Sequence, residues 1–153
     1  MLFWLILVGA VLVDQVAKYF VVTRIALGQS LPFLGDFLRL TYTLNQGASF
    51  SLLQGQRWLF LILTLVVIGV VIAIHYKFAR EERYFDAMLG LFSGGAIGNF
   101  IDRLTIGAVI DFFDLGWFPI FNVADSCIVV SVIILCAMIL FGETGKRLDS
   151  KHG

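Results

Sequence analysis

The chain is poor in charge. Of its 153 residues only 14% are Asp, Glu, Lys or Arg, and eleven basic residues cancel eleven acidic ones. A balanced, sparse charge lacks the basic field that nucleic-acid binding requires, so no nucleic-acid partner is expected. Cysteine is scarce too. Cys127 and Cys136 stand nine residues apart, on roughly opposite faces of a helix, where they cannot bridge each other and read as small buried hydrophobes. Histidine occurs only at positions 75 and 152, and the pattern His-Glu-x-x-His is missing. Zinc chemistry is therefore not expected.

What fills the chain instead is hydrocarbon: 59% of residues are hydrophobic and the mean hydropathy is +0.94. Four windows, Leu2–Val22, Trp58–Tyr76, Phe85–Leu104 and Asn122–Phe141, approach the ~20 apolar residues that cross a bilayer as a helix. Too little chain remains beyond them for a separate soluble domain, so residues 1–153 are expected to form one polytopic membrane domain. The first window has no basic segment before it, and Asp14-Gln15-Val16-Ala17-Lys18 offers no small-residue cleavage site. It reads as an anchor that stays. Lys77, Arg80 and Arg83 crowd the link after the second window, and Lys146, Arg147 and Lys151 follow the fourth. The positive-inside bias puts both groups, and both termini, in the cytoplasm. Arg24, Arg39 and Arg57 are spread over a longer loop on the other side, and residues 105–121 contain no Lys or Arg.

Between Gly28 and Gln56 the pattern changes. Gly28-Gln29-Ser30-Leu31-Pro32 is turn chemistry. Leu38, Leu40, Tyr42 and Leu44 then alternate with Arg39, Thr41, Thr43 and Asn45, the period-two signature of a half-buried strand. Unpaired backbone cannot lie in lipid, so a small extracytoplasmic sheet resting on the membrane is expected over about 28–56. Asn45 ends its polar face and Gly47 supplies a bend. The fold class is thus a membrane all-α bundle of four transmembrane helices with a small extracytoplasmic β segment.

Polar groups inside such a chain are functional hypotheses by default. Asp14, Gln15 and Lys18 share one face of the first helix; Asp14 lies roughly 18 Å from its inner end at 1.5 Å per residue, deep enough to suggest support. The second window looks like packing only. In the third, Gly90, Gly94 and Gly98 recur every four residues and permit close helix contact. Asn99, Asp102 and Arg103 follow at i, i+3 and i+4, with Asp102 expected to be compensated by its neighbour Arg103. Asp102 and Arg103 come out roughly 27 Å, and Asp125 about 26 Å, from the inner ends of their helices, so two antiparallel helices deliver polar groups to one outer level. The link between them carries Asp111, Asp114 and the aromatics Phe112, Phe113, Trp117, Phe118 and Phe121, which suit the headgroup level.

Two carboxylates brought close at the membrane edge cannot both ionise cheaply, and the pair keeps one proton. One member can then take a proton from water while the other hydrogen-bonds the carbonyl under attack. Asp111 and Asp125 are the natural pair, with Asp114 a rival for the first place. The same acids could instead line a proton path in a small proton-coupled transporter. A serine–lysine hydrolase, pairing Lys18 with Ser49 or Ser126, is a weaker third reading.

Five separated motifs, in order, resemble those of the bacterial lipoprotein signal peptidase (signal peptidase II) family of four-helix membrane aspartic proteases. They are Asp14-Gln15 with Lys18; Asn45-x-Gly47-Ala48-x-Phe50; Gly94-Gly95-Ala96-x-Gly98-Asn99 with Asp102-Arg103; Val109-x-Asp111-Phe112; and Phe121-Asn122-x-Ala124-Asp125-Ser126. The resemblance implies cleavage of diacylglyceryl-modified prolipoproteins just before the lipidated cysteine, in the bacterial cytoplasmic (inner) membrane, with the active site near the outer (periplasmic) face. It implies Asp111 and Asp125 as the catalytic dyad. Asn99, Arg103 and Asn122 would line the site and hold peptide carbonyls, while Asp14, Lys18, Asn45, Gly47 and Asp102 would support it or contact substrate. It also implies a monomer in contact with membrane lipid, no cofactor, and inhibition by globomycin-type compounds that occupy the dyad. Ser49 stands where the family often has alanine, and the short link between the two aspartates leaves the shape of the covering lid open. The Asn45 segment is expected to act as a movable clamp over the substrate.

Overall fold

A computed structural model describes residues 1–35, 37–47, 55–77 and 82–141. Among these residues the chain runs α1 (Leu2–Arg24), β1 (Ser30–Leu34), β2 (Leu38–Asn45), α2 (Arg57–Lys77), α3 (Arg83–Thr105), β3 (Val109–Asp114) and α4 (Val123–Phe141). The expected Ala48-x-Phe50 motif, and with it the body of the expected clamp, lies outside the described residues, as do Arg80, Lys146, Arg147 and Lys151.

Three of the helices, α1, α2 and α4, are long and apolar enough to cross a membrane. Their side chains are largely exposed apolar groups, such as Leu12, Val66 and Ile133, which is how a helix facing lipid looks. α3 is different because it is the axis of the bundle, packed against α1, α2 and α4. It buries Gly90, Ser93, Gly94, Gly95, Gly98, Asn99 and Asp102, and so needs small and polar residues where its neighbours need hydrocarbon.

The glycine repeat sets how close the helices come. A Cβ on Gly90 would stand 2.5 Å from the Phe3 carbonyl oxygen, and one on Gly94 2.6 Å from the Ala10 Cβ, both on α1. Gly95 faces the other way, with its Cβ position 2.5 Å from the Ala124 carbonyl oxygen of α4. Backbone cannot yield as a side-chain tip can. Gly90→Ala is expected to lower stability by about 1–3 kcal/mol, as overpacking does. Thermal unfolding in detergent measures this, and an unchanged midpoint would show that α1 and α3 can separate freely there.

α2 does more than pack. Buried His75 places its Nδ1 2.5 Å from Asp86 Oδ1 on α3, and its ring stacks on Phe3 at 4.3 Å. The other Asp86 oxygen accepts the Phe3 backbone N–H at 3.2 Å. A polar staple thus joins α1, α2 and α3, unforeseen because the two residues sit at the ends of different apolar runs.

The sheet is antiparallel, in the order β1-β2-β3. Its third strand comes from the link between α3 and α4, outside the expected 28–56 region. Val109-Ile110-Asp111-Phe112 is β-prone, yet only a partner strand makes it one. The consequence for the aromatics is direct: Phe112 is 2% exposed and packs with Val21 and Ile25. Trp117 stays outside at 75%. Between β2 and β3 the register slips, so that Thr41 and Tyr42 oppose the single residue Phe112. Such a bulge breaks strict alternation, and both Asp111 and Asp114 find partners along β2.

Candidate active site

The end of the bundle capped by the sheet gathers the polar residues. Asp14, Gln15 and Lys18 come from α1, Asn45 from the end of β2 with Gly47 just beyond it, Asn99, Asp102 and Arg103 from α3, Asp111 from β3, Asn122 from just before α4 and Asp125 from its first turn.

Asn122 is not the first residue of the fourth helix but its cap. Its Oδ1 accepts the Asp125 backbone N–H at 2.9 Å, while Asp125 Oδ2 reaches back to the Asn122 N–H at 3.3 Å. This reciprocal capping box immobilises Asp125. The Asn122 amide group then donates to Asp111 Oδ1 at 2.6 Å and to Asn99 Oδ1 at 3.0 Å. One side chain therefore touches both aspartates. Asn99 completes the frame by donating to Asp125 Oδ1 at 2.8 Å, and its own oxygen also accepts Lys18 Nζ at 3.0 Å. With both acceptor directions of Asn99 Oδ1 taken, its NH2 is directed at Asp125.

Asn45 combines two roles. Its oxygen accepts the Gly47 N–H at 3.0 Å, forming a turn, and its amide nitrogen donates to Asp111 Oδ2 at 3.1 Å. The turn thereby aims the donor. Asp111 is 2% exposed. Burial first, and the neighbouring Asp125 charge second, push its carboxyl up to about 7, against the opposing hydrogen bonds from Asn45 and Asn122. Asp114 differs in kind. Burial is the largest single influence and raises it, but the Thr41 hydroxyl at 2.8 Å, the Gly116 N–H at 2.8 Å and Arg39 at 3.2 Å together outweigh that and lower it. It is a saturated, ion-paired carboxylate, unsuited to trading protons.

Asp102 and Arg103 do not compensate each other. Consecutive helix residues point about 100° apart, and these two serve different neighbours. Asp102 faces α1, where Lys18 Nζ lies at 2.8 Å and Gln15 Nε2 at 3.0 Å. Arg103 faces α2, stacked 4.8 Å over the Phe60 ring and donating to the Gly47 carbonyl at 3.2 Å. Asp102 also accepts the Ile110 backbone N–H at 3.1 Å, one residue before Asp111. Asp14 does the same for α4, accepting the Ala124 N–H at 2.9 Å, one residue before Asp125. Lys18 sits between them, 2.8 Å from each carboxylate. Buried Lys18 thus neutralises the two acids that anchor the backbone beside Asp111 and Asp125.

A cavity of about 310 Å³ opens onto Asn99, Arg103, Asp111 and Asp125, with Phe60, Leu63 and Val67 as its apolar wall. Two carboxylates of different environment, amide donors and a guanidinium thus face one space, an arrangement fit for hydrolysing a carbonyl compound.

A family profile described as signal peptidase (SPase) II matches residues 6–141. The chain belongs to the signal peptidase II family. Relatives named lipoprotein signal peptidase include that of Listeria welshimeri, 40% identical over 147 residues, covering 94% of this chain and 96% of the relative. That of Shouchella clausii is 43% identical over 136 residues, covering 88% and 90%. A solved bacterial membrane enzyme, determined in meso at 2.3 Å, superposes with a TM-score of 0.86 at 35% identity, covering 94% of this chain and 89% of the other. A second, at 1.9 Å, gives 0.84 at 35% identity over 90% and 91%. With three apolar helices in hand, this member of the signal peptidase II family is a multi-pass membrane protein. The comparisons give no support to the transporter reading.

Proposed function

We propose that this protein is an aspartic endopeptidase that removes signal peptides from lipoproteins, cutting diacylglyceryl-modified prolipoproteins just before the lipidated cysteine. The observation that carries the aspartic mechanism is Asn122, hydrogen-bonded at once to the Asp111 carboxylate and, through the capping box, to Asp125. In this reading the dyad holds one proton. The ionised carboxylate takes a proton from the attacking water, and the protonated one donates to the carbonyl oxygen. The tetrahedral intermediate then collapses, and the departing amine leaves protonated. Asn99 and Asn122 orient the dyad, Asn45 and Arg103 hold peptide carbonyls, and Asp14, Lys18 and Asp102 support the frame from within. All of this uses side chains of the protein itself and calls on no metal or cofactor.

The placement follows the same reading. α3 serves as a fourth span, shielded from lipid by its neighbours; both termini lie in the cytoplasm, and the dyad meets substrate near the outer face of the cytoplasmic membrane. A monomer suffices, since one chain supplies every group named. Globomycin-type inhibitors would act by occupying the space between the two aspartates.

The test is cleavage of a purified diacylglyceryl-modified prolipoprotein in detergent. Wild type should release the signal peptide and leave the lipidated cysteine at the new N-terminus. Asp114→Asn should keep kcat/KM within about threefold of wild type, because its carboxylate is taken up by Thr41, Gly116 and Arg39 and faces no reacting group. Cleavage elsewhere in the chain, or a silent Asp114→Asn enzyme, would overturn the assignment.

A further inference from the structure

Asp125 has a second open side. Beyond the polar cavity, a groove of about 550 Å³ runs between residues 115–121 and the outer flank of α4. The two spaces meet at Asp125 and Ile128, which line both. We propose that this groove is the subsite for an acyl chain of the lipoprotein substrate, and that Phe118, Val129 and Val130 set which chain lengths it accepts. The inference rests on the functional reading above and assigns the two sides of the dyad different cargo.

Hydrogen-bond accounting separates them. An extended peptide carries an N–H and a C=O at nearly every residue, and away from water each must find a partner. The polar cavity offers the Arg103 guanidinium and the carboxylates of Asp111 and Asp125. The groove is lined mostly by the apolar side chains of Leu115, Trp117, Phe118, Ile128, Val129 and Val130. The Ser126 hydroxyl already donates to the Asn122 carbonyl at 3.0 Å, and the Phe121 backbone is committed to Phe112 and Phe113 on β3. A hydrocarbon chain asks for no partners, so the groove suits it where peptide would be penalised. Its outer wall is built rather than loose. Phe113, Phe121 and Phe118 meet in sequence at ring separations of 5.4 and 6.0 Å, and Phe121 is pinned to β3 by a backbone bridge. Phe118, Val129 and Val130 remain 48%, 56% and 47% exposed, apolar surface left open beside the reacting carboxylate. The lipid substituent branches from the cysteine directly after the bond that is cut and stays on it, so the junction at Asp125 is where lipid and peptide diverge.

The experiment uses a lipopeptide with a photoreactive diazirine at the end of one palmitoyl chain, bound to full-length Asp111→Asn protein in detergent. Adducts are expected on residues 115–121 and 128–130, and excess unlabelled lipopeptide should remove them. Adducts on Phe60–Val67 instead would overturn the proposal. So would equal labelling of the groove by a diazirine phospholipid that lipopeptide fails to displace, since bilayer lipid would then be the occupant. In the wild-type background, Val129→Trp should lower the ratio of kcat/KM for palmitoyl over octanoyl substrate about tenfold, the weight of roughly two buried methylene groups. An unchanged ratio would overturn the role in chain length. Adducts in the groove of a protein that cleaves no lipopeptide would leave the subsite standing and sink the peptidase reading, so the two fail separately.

Discussion

Asp111→Asn and Asp125→Asn should each lower kcat on a lipidated prolipoprotein by about a thousandfold, within the range that loss of a positioned acid or base produces. Both substitutions are nearly isosteric, but each carboxylate accepts through both oxygens and an amide keeps one acceptor, so each variant gives up one of these bonds. What disappears is a group that can give and take a proton. The pH dependence gives an independent readout. With Asp111 raised to about 7, the dyad passes from one proton to none as pH climbs through neutrality, so kcat/KM should fall on the alkaline side with a midpoint near 7. The sign for stability is the reverse of an ordinary salt-bridged aspartate. The folded carboxyl keeps its proton between 3.8 and about 7 while the unfolded one has lost it, so this group's contribution declines as pH rises across that window and is fully lost above it. Asp111→Asn should therefore lose less stability relative to wild type at pH about 8 than at pH about 5, a control that separates lost chemistry from lost fold. A mutant that retains a tenth of wild-type kcat would show that the dyad lies elsewhere.

Lys18→Met should be the most destabilising single change in the protein. Asp14, Lys18 and Asp102 are 0%, 2% and 3% exposed, and removing the ammonium leaves two buried carboxylates facing each other without a cation. Breaking a buried ion pair from one side costs about 3–5 kcal/mol, on the order of 10 °C in a chain of this size. The damage should also reach the reaction, because those carboxylates hold the backbone N–H groups of Ala124 and Ile110, next to Asp125 and Asp111. Thermal unfolding and kcat measured together test this. The double variant Lys18→Met/Asp102→Asn removes one of the stranded charges and should recover part of the lost stability. If it is no more stable than Lys18→Met alone, unpaired charge is not the cause.

Much of the site was legible in the chain because membrane proteins keep polar groups out of apolar segments unless they are used. Asp14, Lys18, Asn99, Asp102, Asp111 and Asp125 stand out against hydrocarbon. Helical rise alone brought the ends of the third and fourth helices to one level, and the Asn99–Asp125 bond at 2.8 Å is where they meet. Partnership was harder to read. Sequence adjacency suggested that Arg103 would neutralise Asp102, but the helical turn sends them to different neighbours, and the cation for Asp102 comes from Lys18, 84 positions earlier. His75 and Asp86 escaped notice for the same reason: each looked like an isolated group at the end of its own helix.

By itself the sequence determined that the protein lives in a membrane, that polar residues concentrate toward one end of its helices, and which carboxylates were candidates for chemistry. These follow from composition and from the fixed rise and period of a helix, which act locally. Only the tertiary structure showed how differently Asp111 and Asp114 are surrounded. Both lie on β3, three residues apart; spacing left them unranked, and the motif resemblance alone named Asp111. The pairing of β3 with β2 gives Asp114 to Thr41 and Arg39, whereas Asp111 goes to Asn45, Asn122 and the charge of Asp125. A carboxyl's proton affinity is set by what surrounds it in space, and those surroundings come from four separate stretches of chain.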